Sequence, residues 1–445
     1  MKAWQISKFK SPLTLIQKNI PIITSPNDLL IKICASSINP LDIQMKEGYG
    51  QNIIQVMRKL NGILTGIKQP DLPLTLGRDF SGVICDTGLN VKSYKFGDEV
   101  WGTLGVQRTL GTQSEFTTAS YKSVSLKPNN IEHFEAASLP YIAMTTFSSI
   151  VNTNFPLSLK LFCNYESDNK FFNKTHDNSQ YYDHTKNVND DLTEEKANKK
   201  SSPDYTYTEI MDSGDGNKDC LDDILIKNIQ NKNILIRAGS GGISTFVVQL
   251  MKAYNAKNIV VLCNPHSFDL MEELGAYHTI DYKASDVIQQ SRILGPYDLV
   301  YDAIGNKFSS STSSNLDDRH SIKSYMNLLR PYNKSKYITV SSPLLSNADK
   351  YGVFPLGLGK SFLDYNYESI RALMKGNLFY YGYYMPNAHF MRRLTQLVES
   401  GKIKPVIDRV FRFDDLPRAY EYFGDKGLSK KGKIVIDNTK ASPPD

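Results

Sequence analysis

From residue 233 onward the apolar positions fall into short unbroken runs, Asn233–Arg237, 259–263, 297–302 and 337–341, with helix-periodic segments between them. A strand apolar at consecutive positions is buried on both faces, so this region predicts an α/β, doubly wound parallel sheet. Ahead of it, residues 1–132 carry β-rich runs at 29–34 and 80–85, punctuated by Asn39, Pro40, Gly77, Gly97 and Asp98. That punctuation predicts a small β-barrel-type domain. A helix over 135–150 leads away from it, with Pro140 kinking or dividing it. Residues 163–222 lose both periodicities, and 187–200 is nearly devoid of large apolar side chains. Such composition predicts a disordered insert, with a partner-binding segment as the alternative. Further on, 378–385 reads as an aromatic strand, 391–400 as a helix stopped by Gly401, and Lys433–Asp437 as a strand returning to close the first domain. The chain divides accordingly into 1–132, 133–385 with the insert, and a carboxy-terminal return, 386–445.

The first buried run leads into Gly239, Ser240, Gly241, Gly242, Ile243 and Ser244, and then into an amphipathic segment. Glycines at 239 and 241 let the backbone turn tightly and approach a pyrophosphate, while the helix starting near Ile243 directs its unpaired amides at it. Ser244 stands where a third Gly or Ala is usual. Glycine-rich turns also join strands to helices without a ligand, so the next strand matters. At its end, where an NAD site places a ribose-binding carboxylate, the chain has Cys263, Asn264 and Pro265. Without that acid a 2′-phosphate is not repelled, and Asn264, Ser267, Tyr282 and Lys283 are candidate donors to it, so NADPH is favoured over NADH. The alternative places Tyr282 and Lys283 in an ordinary turn.

With 445 residues, 40% of them hydrophobic, the chain has enough apolar content for sizeable cores. A net charge of +6 without a Lys/Arg block argues against nucleic acid as partner. No apolar run approaches the roughly 18 residues of a membrane span. Cys34, Cys85, Cys163, Cys220 and Cys263 are scattered, lack a CxxC spacing and read as buried small hydrophobes, not as a disulfide framework or metal lobe. Lys2, Lys8, Lys10 and Lys18 precede the first acid, Asp28, yet residues 1–6 and 13–16 read as strands, so no targeting peptide is assigned.

Taken together, Ser36-Ser-Ile-Asn-Pro-Leu-Asp42, Gly48-Tyr-Gly50, Leu76-Gly-Arg-Asp-Phe-Ser-Gly-Val83, Phe96-Gly-Asp-Glu-Val-Trp101, Ala136-Ala-Ser-Leu-Pro-Tyr141 and Leu274-Gly-Ala276 resemble the medium-chain dehydrogenase/reductase superfamily. The likeness is to its zinc-free, quinone-oxidoreductase-like branch, and within that to mitochondrial reticulon-interacting NADPH oxidoreductases. It implies a GroES-like domain beside a Rossmann domain, an NADPH cofactor, a small-molecule quinone or α,β-unsaturated carbonyl as hydride acceptor, a homodimer paired through 378–385, and mitochondrial residence, with the cytoplasm as the alternative. Zinc-dependent relatives have a Cys where this chain has Ile38, Asn39 and Pro40, and a His-Glu pair where it has Arg78 and Asp79, so no metal is expected. By resemblance Asn39 and Asp42 lie beside the substrate, and Tyr49 polarises or protonates its oxygen. Thr145 and Tyr141 line the nicotinamide face, Ser341 and Leu345 meet its ribose and amide, and Gly432 and Lys433 return near the cofactor. Arg78 and Asp79 are expected to pair with each other and order the loop. Ser244 and Ala303 depart from the family pattern and motivate a competing expectation, a nucleotide-binding interaction protein with a reticulon-type partner and little turnover.

Overall fold

A computed structural model describes residues 1–66, 70–151, 153, 220–304, 321–425 and 427–439. The amino-terminal part contains β1 (Lys2–Gln5), β2 (Thr14–Gln17), β3 (Asp28–Ile38), α1 (Pro40–Lys46), α2 (Gln51–Thr65), β4 (Asp79–Thr87), β5 (Glu99–Thr103), β6 (Phe116–Ser120) and β7 (Val124–Leu126). α3 (His133–Ala136) and α4 (Pro140–Val151) follow, so the helix expected over 135–150 is divided at Pro140, which opens the second piece. Proline is tolerated there because the first amides of a helix lack intrahelical acceptors. Of the expected insert, positions through 219 lie outside the described residues. Residues 220–222 belong to α5 (Cys220–Ile229), whose apolar side Leu221, Ile224, Leu225 and Ile229 packs into the main core.

The second part runs through β8 (Asn233–Arg237), α6 (Gly242–Ala253), β9 (Asn258–Cys263), α7 (Phe268–Leu274), β10 (His278–Asp281), α8 (Val287–Ile293), β11 (Leu299–Asp302), α9 (Ile322–Met326), β12 (Lys336–Thr339), α10 (Leu344–Tyr351), α11 (Leu358–Leu373) and β13 (Leu378–Tyr381). These strands form one parallel sheet in the order β10-β9-β8-β11-β12-β13. Consecutive side chains enter opposite cores: Ile234, Ile236, Ile259 and Val261 face one, Leu235, Val260 and Leu262 the other. This is why the runs are apolar without alternation. The aromatic strand expected over 378–385 ends at Tyr381. A Cβ on the next residue, Gly382, would lie 2.4 Å from Ser149 Cβ, so the chain leaves the sheet pressed against α4.

The end of the chain, α12 (Ala388–Glu399), β14 (Ile407–Arg412), α13 (Leu416–Gly424) and β15 (Lys433–Asp437), returns to the first part. β15 pairs antiparallel with β3, setting Ile434 opposite Ile38, in a second sheet of order β14-β15-β3-β4-β5-β7 with β6 also on β3. Two register shifts between β3 and β4 bend this sheet in the manner of bulges. The parallel sheet reverses its order between β8 and β11, where Arg237 and Asp302 lie in register. Ligands of doubly wound sheets bind at such a switch point, outside the carboxyl ends of the strands.

Candidate active site

The turn after β8 is shaped by glycine. Gly239 has φ +69°, left-handed backbone that side chains with a Cβ resist, and nothing lies within 4 Å of where a Cβ would stand at Gly239 or Gly241. Gly241 is the N-cap of α6 and carries no capping side chain. The loop therefore presents open space before uncapped helix amides, a cradle that fits a pyrophosphate. Its other side is docked on the carboxy-terminal return. Gly432 N–H donates to the Ser240 carbonyl at 2.9 Å, Gly241 bridges to Gly432, and Ser240 Oγ donates to the Lys430 carbonyl at 3.0 Å. Ser240 thus spends its hydroxyl on holding the loop. Ile243 packs on the main core, and Ser244 is fully buried with its Oγ unpartnered.

Gly242 joins this loop to the amino-terminal sheet. A Cβ there would meet Lys433 Cδ at 2.7 Å, so the Lys433 stem lies directly over it. Beyond the stem, Lys433 Nζ donates to Asn39 Oδ1 at 2.6 Å and to Asp79 Oδ2 at 3.1 Å, with the lysine 5% exposed and the aspartate sealed. Ser37 Oγ at 2.6 Å and Asn39 Nδ2 at 2.8 Å also donate to Asp79 Oδ2, and Tyr141 N–H donates to Oδ1 at 2.5 Å. A buried carboxylate is tolerated when its lone pairs are met this fully. The ion pair the structure gives Asp79 is with Lys433, 354 positions away, and not the expected one with its neighbour; Arg78 donates to the carbonyls of Gly105 and Arg108. Asp79 also serves as the cap that α4 lacks, since Tyr141 lies in the first turn of that helix.

Tyr49, half-buried, sits just before α2, and Leu345 closes against the same turn, its Cδ1 lying 3.2 Å from a Cβ position at Gly50. Burial and then the nearby Asp349 carboxylate push the Tyr49 phenol above its ordinary pKa, so it stays protonated through neutral pH. Ser341 follows β12 with its N–H donating to Thr339 Oγ1. Thr145, 6% exposed, spends its hydroxyl on the Tyr141 carbonyl at 2.8 Å, and Tyr141 stacks on Tyr384 with centroids 4.4 Å apart. The geometry thus brings together the phosphate loop, Lys433 and Asn39, and separately Tyr49 with Leu345.

At the far end, Asn264 is half-buried and accepts from His266 N–H. Tyr282 donates its N–H to the Cys263 carbonyl, with Lys283 Nζ 5.7 Å from its ring centroid. Ser267 is fully buried with its Oγ unpartnered, which removes it from the expected donors. An acid does stand close: Asp281 lies in register with Cys263, though its Oδ1 accepts from Lys283 N–H.

Residues 25–129 match the alcohol dehydrogenase GroES-like domain and residues 274–436 the zinc-binding dehydrogenase family. The chain is 31% identical over 440 residues to the mitochondrial NAD(P)H oxidoreductase RTN4IP1 of Danio rerio, covering 98% of this chain and 91% of that protein. The Homo sapiens protein of the same name is 30% identical, with 98% and 89% covered. The chain belongs to the medium-chain dehydrogenase/reductase superfamily, in its zinc-free, quinone-oxidoreductase-like branch. In fold it is similar to the quinone oxidoreductase from Coxiella burnetii, with a TM-score of 0.62 at 20% identity over 98% of this chain and 99% of that one. Its GroES-like domain is the bent sheet and its Rossmann domain the parallel one. Although one matching family is described as zinc-binding, no three His, Cys, Asp or Glu side chains gather to hold a metal among the described residues. None of the described helices is long and apolar enough to cross a membrane.

Within this dehydrogenase/reductase framework Asp42, expected beside the substrate, has a capping role. It is fully buried, accepting from Asn39 N–H at 2.8 Å and Gly77 N–H at 3.0 Å, and so closes the capping box of α1. It supports Asn39 from behind. Burial raises its pKa from 3.8 to about 6, above the unfolded value. Its contribution to stability is therefore complete below the unfolded pKa and is lost as pH rises through 6. Relative to Asp42→Asn, the native protein is expected to lose about 2 kcal/mol between pH 4 and pH 7, measured by denaturant titration at each pH. A difference that does not change with pH would refute this placement.

The side chains that sequence reasoning missed are Ser37, the charge of Lys433 and the caps from Asp79 and Asp349. One signal existed for Lys433, a lone cation heading the apolar run Ile434–Ile436 of the terminal strand.

Proposed function

We propose that the cleft binds NADPH and that the protein reduces a quinone or an α,β-unsaturated carbonyl by hydride transfer without a metal. The observation that carries this reading is the open glycine cradle at the start of α6, fixed to the buried Lys433, Asn39 and Asp79 cluster. Gly239, Gly241 and the amides of α6 would hold the pyrophosphate, Asn264, Tyr282 and Lys283 the adenosine end, and Ser341, Leu345 and Thr145 the nicotinamide end. The cofactor supplies the hydride chemistry when bound. Asn39, held by Lys433 and Asp79 on its side chain and by Asp42 on its backbone, keeps one wall of the cleft rigid. Tyr49, protonated at neutral pH, donates its O–H to the acceptor's oxygen as charge develops there. The relatives named mitochondrial NAD(P)H oxidoreductases support the cofactor and the reaction class, and mitochondrial residence is proposed on the same ground. Edge strand β13 is the proposed pairing edge of a homodimer, which a single-copy mass in sedimentation would exclude.

The test is a titration with NADPH and NADH by nicotinamide fluorescence, followed by a soluble quinone. NADPH is expected to bind more tightly than NADH. If NADH binds equally well, Asp281 is acting as the ribose acid and the NADPH preference is wrong. Tyr49→Phe is expected to lower kcat by about 10- to 100-fold with NADPH affinity unchanged. Binding without oxidation across a quinone panel would favour the interaction protein with a reticulon-type partner, a reading for which the buried, unpartnered Ser244 hydroxyl in the nucleotide loop is the motivating observation.

A further inference from the structure

We propose that Asp349 is a positioning residue that ties the seating of the Rossmann domain to the placement of Tyr49. The inference rests on the reading that Tyr49 faces the substrate. The N-cap of α2 is Gly50, φ +77°, which has no side chain to cap it. The missing cap comes from the other domain. Gly50 N–H donates to Asp349 Oδ2 at 2.5 Å, Asn52 N–H to Oδ1 at 3.2 Å, and Asn52 Nδ2 to the Ala348 carbonyl at 3.0 Å. Both carboxylate oxygens are thus spent on the first turn of α2, where a negative charge also complements the helix dipole.

Asp349 stands on α10, which begins three residues after Ser341 and carries Leu345 one turn earlier on the same helix. Leu345 touches the Gly50 turn from that side. A shift of the segment that would meet the nicotinamide end is therefore passed through one short helix to the residue preceding Gly50, which is Tyr49. The protein uses the same device at α4, capped by Asp79 from the opposite domain. In both cases a helix bordering the cleft is complete only when the two domains are together. A cap encoded locally, by a Ser or Asp at position 50, would hold α2 without any such dependence.

The experiment compares Asp349→Ala and the isosteric Asp349→Asn with the native chain by amide hydrogen exchange, by tyrosine ring NMR with the Tyr49 signal assigned through Tyr49→Phe, and by NADPH-quinone kinetics. Asp349→Ala is expected to speed exchange at Gly50 and Asn52 by about tenfold, since an N-terminal cap is removed. It should also shift and broaden the Tyr49 ring signal, and lower kcat about tenfold with NADPH affinity within about threefold. Asp349→Asn keeps one acceptor oxygen and should fall between the two, and it carries the test if the alanine variant does not fold. Faster exchange with an unmoved Tyr49 signal and native kcat would reduce Asp349 to a stability element and overturn the proposal. So would unchanged exchange. If the native chain binds NADPH but oxidises it with no quinone, the reductase reading fails on its own, while the exchange and Tyr49 signals still decide whether Asp349 positions that residue.

Discussion

Lys433→Met is expected to destabilise the protein by about 3–5 kcal/mol, the usual consequence of leaving one partner of a buried ion pair alone. Methionine keeps an unbranched apolar stem over Gly242, where Lys433 Cδ approaches a Cβ position to 2.7 Å, so packing changes little and the loss reports the charge. What remains is a fully buried Asp79 carboxylate with donors from Ser37, Asn39 and the Tyr141 amide, but no cation. The effect should reach both domains, because the same lysine holds Asn39 on one side and lies against the phosphate loop on the other. Urea denaturation at neutral pH measures it, and adding Asp79→Asn to the variant should recover a large share of the loss in a double-mutant cycle. A loss under about 1 kcal/mol would mean that the pair is solvated and behaves as a surface bridge.

This pair also shows where reading the chain stops. The glycine loop was legible because its conformation is local: Gly239 needs left-handed backbone, and the run before it is apolar on both faces. The division at Pro140 is local for the same reason. The return of Lys433–Asp437 to the first domain is expected, but its pairing with β3, through which Lys433 meets Asp79, is announced by no periodicity in either segment. The capping role of Asp42 is not legible because an aspartate two residues after a proline serves equally well as a capping-box residue or a cleft carboxylate, and burial with its two accepted N–H bonds shows the first. The helices α2, α10 and α11 went unread. In α11 the large apolar side chains Phe362, Leu363, Tyr367 and Ile370 are exposed, inverting the pattern by which a helix is recognised. The caps from Asp79 and Asp349 were illegible in a different way: each helix lacks its own, and the residue that supplies it is remote in sequence.

Gly241→Asp is expected to weaken NADPH binding by about 100-fold or more while leaving the melting temperature unchanged or higher. The two halves of this result have separate causes. Gly241 has φ −78° and ψ −177°, extended backbone that any residue adopts, and the space beside it is open, so the fold accepts a side chain there. Aspartate is moreover among the best N-cap residues, and α6 has no side-chain cap of its own. The new carboxylate would occupy the amides that the proposed pyrophosphate needs and oppose its charge, a repulsion of about 4 kcal/mol for unit charges 4 Å apart near a surface. Gly239→Ala provides the contrast, because left-handed backbone at φ +69° penalises any Cβ and stability should fall with it. Nicotinamide fluorescence and thermal melts on the two variants separate ligand loss from fold loss. If Gly241→Asp binds NADPH as the native chain does, the nucleotide does not use this loop. The link from the phosphate loop through Lys433 to Asn39 would then be structural alone, and the reductase reading would lose the observation that carries it.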